Sequence, residues 1–435
     1  MRFDILVTNS TILPLGPTMP EIIEYGFIAV RAGKIVDLGP MADLADTYRA
    51  DITIDGNGHL AMPGLVNTHT HAPMTLFRGL ADDLPLMTWL NDYIFPAEAR
   101  SVNPEMVYWC SKLAAAEMML SGTTTAADGY FLEDSVAEAF IAAGLRSVPA
   151  QGIIDFPAPG VPDPGKNVAN AGSFIERWQG KNPLLTPALF CHSPYTCSPD
   201  TLQKAKEVAR ARDAKFFIHL AETRVEVEQL LEKQGKTPVR HLESLDLLDR
   251  NTICVHCVWL EKDEIDTLAR YGVKVATCPQ SNMKLGSGMA PLREMLAAGI
   301  NVGLGTDGCA SNNTLDMFRE MDVCAKLHKV KALDPAVMPA ATVLEMATRG
   351  GADVLGLGDK VGSLVPGKAA DIILLDLRRP HLQPFYNPDL LVYAAGGADV
   401  ATVIIAGKLI MEDRKILTFD VDEAMTKVRE LAENV

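Results

Sequence analysis

Two histidines one residue apart, His69 and His71, close an apolar run in the segment GLVNTHTHAPM (64–74). Side chains at i and i+2 of an extended strand point to the same side, so both imidazoles can turn toward one centre. Neutral imidazole is the commonest metal ligand. Alone, such a pair fits two histidines on a half-exposed strand equally well, and further groups must decide. His219, in KFFIHLAE, and Asp307, in NVGLGTDG, supply a third imidazole and a carboxylate at the ends of two other apolar runs. Taken singly, His219 reads as a hydrogen-bonded core histidine and Asp307 as a helix cap. Taken with the pair, we assign His219 as third metal ligand and Asp307 as fourth, a set that keeps one position open for water. A divalent ion held in this way lowers the pKa of water toward neutrality, which supplies hydroxide without strong base and points to hydrolysis.

Glu222 lies three residues after His219, in HLAE. An isolated Glu is ordinarily solvated surface charge, but a carboxylate beside such a site can take a proton from water and return it to a substrate nitrogen. His256, in TICVHC, can steady the attacking hydroxide or an oxyanion; a satisfied buried histidine is the alternative. Other motifs fall away. CVHC (254–257) resembles a CxxC clamp, yet residues three apart on a strand face opposite sides, so Cys254 and Cys257 are expected in the core. GSLVPGKA (362–369) nearly spells a P-loop, but Ala369 stands where Ser or Thr is required and a strand follows, so a turn is expected. GLGTDG lacks the full dinucleotide fingerprint, and the HxE with PCxxC signature of one zinc deaminase fold is missing.

These residues need elements to bring them together. At 435 residues, with 48% hydrophobic and 22% charged residues, the chain can bury a large core and build more than one domain. Eight strand-like apolar runs occur, at 65–69, 123–128, 146–152, 186–192, 215–220, 252–257, 273–278 and 301–307. Stretches with helical periodicity and capping signals, such as SPDTLQKAKEVARARD, lie between and after them. Eight βα units in about 300 residues predict an α/β fold, a (β/α)8 TIM barrel. A doubly wound open sheet is the runner-up, since counting strands cannot show that a sheet closes. In a barrel the catalytic groups gather at the C-terminal ends of strands. His69 and His71 end the first run, His192 the fourth, His219 the fifth, His256 the sixth and Asp307 the eighth, a placement that nine scattered histidines would seldom produce. Both chain ends have another rhythm, with short β-branched runs between Gly and Pro turns. We expect them to pack together as a small β-sandwich of residues 1–60 and 366–435, around a metal-dependent catalytic barrel of 61–365.

A formal charge of −15 opposes a nucleic-acid partner, because phosphate binding draws on clustered Lys and Arg, while a small-molecule partner stays open. No stretch approaches the roughly 18 uninterrupted apolar residues of a membrane helix. The acidic residue at position 4 and the polar residues that follow fit neither a signal nor a transit peptide. Eight scattered cysteines suit a reducing compartment. A cytoplasmic protein is expected.

Together, PGLVNTHTHAPMTLFRGLADDLPLMTWL, HLAET, VHCVWL, CPQSNMKLGSG and GLGTDGCASNN resemble the amidohydrolase superfamily, and within it the methylthioadenosine/S-adenosylhomocysteine deaminases. GSLVPGKAADIILLDL resembles the return into the terminal β domain of that family. The resemblance implies one divalent metal, usually zinc, on His69, His71, His219 and Asp307, with Glu222 and His256 as the acid–base pair. It further implies that Glu98, in YIFPAEAR, contacts ribose hydroxyls and that His192 lies beside the nucleoside. Without the resemblance, Glu98 reads as surface charge on a predicted helix. Where the family pattern places an arginine near the end of the third strand, against the amino-acid tail of S-adenosylhomocysteine, this chain has Gln151. The implied activity converts methylthioadenosine, S-adenosylhomocysteine or adenosine to the inosine analogue and ammonia, in a protein that could form a homo-oligomer. The neighbouring readings are deamination of guanine or cytosine, or attack on a triazine ring, where Glu222 favours deamination. A catalytically dead barrel kept as a scaffold is the third reading, and the presence of all four ligands opposes it.

Overall fold

A computed structural model describes residues 2–19, 21–433 and 435. The chain opens with five strands, β1 (Arg2–Ile12), β2 (Ile23–Arg31), β3 (Lys34–Pro40), β4 (Arg49–Asp55) and β5 (His59–Pro63). Eight more follow, alternating with helices: β6 (Leu65–Thr70), β7 (Thr123–Tyr130), β8 (Arg146–Ile153), β9 (Ala188–Cys191), β10 (Phe216–Leu220), β11 (Thr252–His256), β12 (Lys274–Thr277) and β13 (Val302–Leu304). The chain then returns through β14 (Ile372–Asp376), β15 (Val400–Ile405), β16 (Lys408–Glu412) and β17 (Lys415–Ile416).

The expected terminal domain takes the form of one hydrogen-bonded sheet in the order β17-β16-β15-β14-β5-β1-β2-β3, with β4 added beside β1. The two ends meet where β14 pairs antiparallel with β5, Ile373 opposite Met62. Neither end carries enough apolar surface to stand alone, and this seam lets them share a core that includes Ile5, Ile28, Ile372 and Ile404.

β6 to β13 form an eight-stranded parallel sheet in sequential order, so the predicted barrel is present. Its strands are buried along nearly their whole length, which is why they read as continuous apolar runs rather than alternating ones. The last strand meets the first through a side-chain and loop seam instead of a regular ladder. Thr68 Oγ1 donates to Leu304 O at 2.8 Å, Thr306 N donates to Asn67 Oδ1 at 3.0 Å, and Asp307 N donates to His69 O at 3.0 Å. Gly305 permits this approach, since a Cβ there would lie 2.8 Å from the His69 backbone nitrogen. The helix Arg349–Val354 and the residues after it seal the end of the barrel where the strands begin, with Ala352, Val354 and Leu355 packing in the cluster of Val66, Val148 and Ile253. The barrel is locked to the terminal sheet by a buried pair: Arg146, first residue of β8, donates from Nε and Nη2 to both carboxylate oxygens of Asp371 at 2.7 and 2.9 Å. Among the described residues, no helix is long and apolar enough to cross a membrane.

Candidate active site

At the C-terminal end of the barrel, residues from seven strands or the turns directly after them face one hollow. Strict alternation along β6 would not put them there. Val66 packs in the barrel interior and stands three positions before His69, so both cannot face inward on a regular strand. The β6–β7 ladder is irregular between Asn67 and Thr70, and this bulge re-aims His69 and His71 into the hollow. Similarly, Ile253 and Val255 face the interior of β11, and His256 turns inward only because its backbone is left-handed, with φ 69°. Ala221 (φ 50°), just before Glu222, and Asp307 (φ 62°) share that conformation. Non-glycine residues held there cost of order 1–3 kcal/mol each, and such costs concentrate where function requires a side chain to be aimed.

The ligating atoms of His69, His71 and His219 lie within 4.8 Å of one another, and so do those of His69, His256 and Asp307. Asp307 Oδ1 is 3.4 Å from His69 Nε2 and 3.3 Å from His71 Nε2. His71 Nδ1 faces the Gly129 carbonyl at 2.5 Å and so carries the proton, which leaves the Nε2 lone pair directed at the cluster. His69 Nε2 is buried and makes no aligned hydrogen bond. An orphaned buried acceptor costs about 1–3 kcal/mol unless something occupies it. Burial holds His69 near a pKa of about 4 and lowers His219 as well, with the neighbouring imidazoles opposing a positive charge there. Burial would raise Asp307, but the surrounding His69, His71 and His256 imidazoles outweigh it and keep the carboxyl well below its ordinary range. Its Oδ2 accepts from Ser281 Oγ at 2.6 Å and its Oδ1 from Gly308 N at 2.7 Å. Neutral imidazoles, an ionised carboxylate and an unpartnered nitrogen are the donor set that a divalent cation such as zinc requires.

Glu222 Oε2 stands 3.8 Å from His256 Nε2. Burial raises the Glu222 carboxyl, against the pull of His256, and Ser287 Oγ donates to its Oε1 at 3.3 Å. His256 Nδ1 is committed to Asn282 Oδ1 at 3.0 Å, which turns Nε2 toward the hollow. Glu226 fixes the turn below: its carboxylate accepts from the Ala221 and Glu222 backbone at 3.1 and 2.8 Å. His192, one residue past β9, is held by Thr196 Oγ1 at 2.9 Å, and burial keeps it neutral, at a pKa of about 3. Glu98 is no surface charge. It is 6% exposed, and Tyr130 donates its hydroxyl to Oε1 at 2.5 Å. The hollow, some 830 Å³ of atom-free space including its open mouth, is lined by His71, His219, Asp307, Glu222, His256, His192, Glu98 and Tyr130 and by a wall of apolar side chains.

One expectation is overturned. Cys254 and Cys257 pack in the same apolar cluster, not on opposite faces, because the left-handed backbone at His256 and Cys257 ends the strand and folds Cys257 back. Both are buried, as expected of core residues. Three residues in or beside the site carried signals that the motifs read from the sequence did not include. Tyr130 ends β7, two residues past the run recognised there. Thr223 and Glu226 have the spacing of a capping box, and the Thr223 hydroxyl accepts from Glu226 N at 3.2 Å.

Residues 60–410 match the amidohydrolase family. Over 435 residues the chain is 49% identical to a 5-methylthioadenosine/S-adenosylhomocysteine deaminase of Syntrophobacter fumaroxidans, covering 100% of this chain and 99% of that protein. It is 42% identical to a 5′-deoxyadenosine deaminase of Methanosarcina mazei, covering 99% of this chain and 98% of that one. Among solved structures, an adenosine deaminase from Xanthomonas campestris with bound zinc superposes with a TM-score of 0.96 at 38% identity, covering 99% of this chain and 98% of the other.

Proposed function

The chain belongs to the amidohydrolase family, and from that premise we propose that it is a metal-dependent hydrolytic deaminase of adenine nucleosides, converting 5′-methylthioadenosine and related 5′-substituted adenosines to the inosine analogue and ammonia. The observation that carries this reading is the convergence of His69, His71, His219 and Asp307 beside the Glu222–His256 pair on one enclosed hollow. His69, His71, His219 and Asp307 would hold the cation, zinc by the chemistry of three imidazoles and a carboxylate. When bound, such an ion makes water nucleophilic near neutral pH and polarises it toward the ring.

The remaining chemistry falls to the chain's own groups. Glu222, raised by burial, takes a proton from the attacking water and delivers it to N1 of the adenine ring as C6 becomes tetrahedral; the C6 hydroxyl proton then passes by way of the same carboxylate to the amino group, the C6–N bond breaks, and ammonia leaves as the C6 carbonyl forms. His256, its Nδ1 fixed by Asn282, orients the attacking oxygen through Nε2, and Asp307 shares that task. Glu98, held by Tyr130, accepts the ribose hydroxyls, and His192 packs beside the nucleoside. Polar groups fixed in advance around the site of charge development are commonly the largest catalytic contribution.

Ammonia release from adenosine, methylthioadenosine, S-adenosylhomocysteine and guanine tests the reading. Turnover of one or more of the adenine nucleosides, with none of guanine, is expected. Turnover of guanine alone, or of nothing by metal-loaded protein, would refute it.

A further inference from the structure

The histidines, Glu222 and Asp307 of the hollow sit at the strand ends, and much of the remaining wall is apolar. Leu86, Trp89, Leu90, Ile94 and Phe95, all from one stretch of chain, face it. Beside it lies a second hollow of about 900 Å³ of atom-free space, walled by Phe156, Pro157, Pro159 and Pro162. The two share Phe95, Glu98 and Phe131, so Glu98 stands on their common rim. No lysine or arginine is among the residues that line either hollow. Outside the histidine cluster the ionisable side chains there are Glu98, Glu222, Asp307 and two tyrosines, in a chain whose formal charge is −15. Gln151, at the end of β8, offers no partner either. Its Oε1 accepts from Glu133 N at 3.2 Å, its Nε2 donates to Gly152 O at 3.3 Å, and it lines neither hollow.

On the reading that the enzyme deaminates adenine nucleosides, a ribose whose hydroxyls meet Glu98 carries its 5′ carbon only two bonds from the hydroxyl-bearing C3′, at this rim. We propose that the second hollow, beyond Glu98, is the subsite for the 5′ substituent and that it selects uncharged, apolar substituents while rejecting those that bear a carboxylate. A thioalkyl group entering it exchanges water for Phe95, Phe131 and Phe156 and gains by burial. A carboxylate entering it loses its hydration, meets no cation and approaches Glu98.

Three nucleosides separate charge from length: 5′-methylthioadenosine, 5′-deoxy-5′-(butylthio)adenosine, and the 3-carboxypropylthio analogue, which replaces the terminal methyl of the butyl chain by a carboxylate. Their kcat/KM values are measured on metal-loaded enzyme. The butylthio compound is expected within about tenfold of methylthioadenosine, and the carboxylate at least about 100-fold below its butyl counterpart, chiefly through KM. Placing a cation in the outer hollow with Phe156→Arg is expected to narrow that butyl-to-carboxylate ratio by about tenfold or more. A carboxylate turned over within about fivefold of the butyl compound by wild-type enzyme would overturn the proposal, as would an equal loss for both long chains, which would mark a limit of length. An unchanged ratio in a folded Phe156→Arg variant would also overturn the assignment of the outer hollow. Absence of turnover with all three would instead refute the deaminase reading, and calorimetric binding of the same compounds would still report the selectivity.

Discussion

Glu222 combines burial, a neighbouring imidazole and a backbone turn pinned by Glu226, and each suits the proton-carrying role proposed for it. Because it is not among the clustered ligand atoms, Glu222→Gln is expected to retain bound metal while kcat falls by about 10²–10⁴, the usual share of a general acid–base group. Metal analysis and turnover on the same preparation check this; near-normal turnover would remove the residue from the mechanism. At Glu98 burial raises the carboxyl to about 7, and the Tyr130 hydroxyl, by donating to the ionised form, works to lower it. In the proposed role the ionised carboxylate binds the ribose hydroxyls, so kcat/KM is expected to fall as pH drops through about 7. Tyr130→Phe removes the group that favours ionisation and should move this acid limb to higher pH with little change in kcat at alkaline pH. A pH profile whose acid limb stays in place would show that Tyr130 does not act through Glu98.

The elements that carry these residues differ in how plainly the sequence announces them. All eight barrel strands lie within the apolar runs or extend them by a residue or two, because strands buried on both faces need unbroken apolar stretches. The strand-end positions of His192, His219 and His256 followed directly. The bulge that turns His69 inward and the left-handed backbones at Ala221, His256 and Asp307 were not legible, since each is imposed by neighbours distant in sequence. The same cause misplaced Cys257 relative to Cys254. The burial of Glu98 likewise depends on how its short helix, Phe95–Ser101, is laid over the barrel, which helical periodicity does not reveal. The junction between the two sheets rests on Arg146 and Asp371. Arg146→Met leaves Asp371 buried with an unpaired charge and is expected to cost about 3–5 kcal/mol, read as a lowered denaturant midpoint with an unchanged slope. A loss below about 1 kcal/mol would show that the pair contributes little to holding the sheets together.

For the molecule as a whole, the fold stores unfavourable local features at one end of the barrel: an unpartnered imidazole nitrogen, crowded neutral histidines and left-handed residues. A cation bound there relieves several of these at once, and binding to the folded state alone stabilises it by mass action. Metal-loaded protein is therefore expected to melt at a higher temperature than metal-stripped protein. The direct test of the central claim is ammonia release from methylthioadenosine by one preparation, assayed as purified, after stripping with a chelator, and during titration with zinc. Turnover is expected to vanish on stripping and to return in proportion to added zinc up to about one ion per chain. Undiminished turnover in protein shown to be metal-free, or stripped protein that zinc binding fails to reactivate, would contradict it.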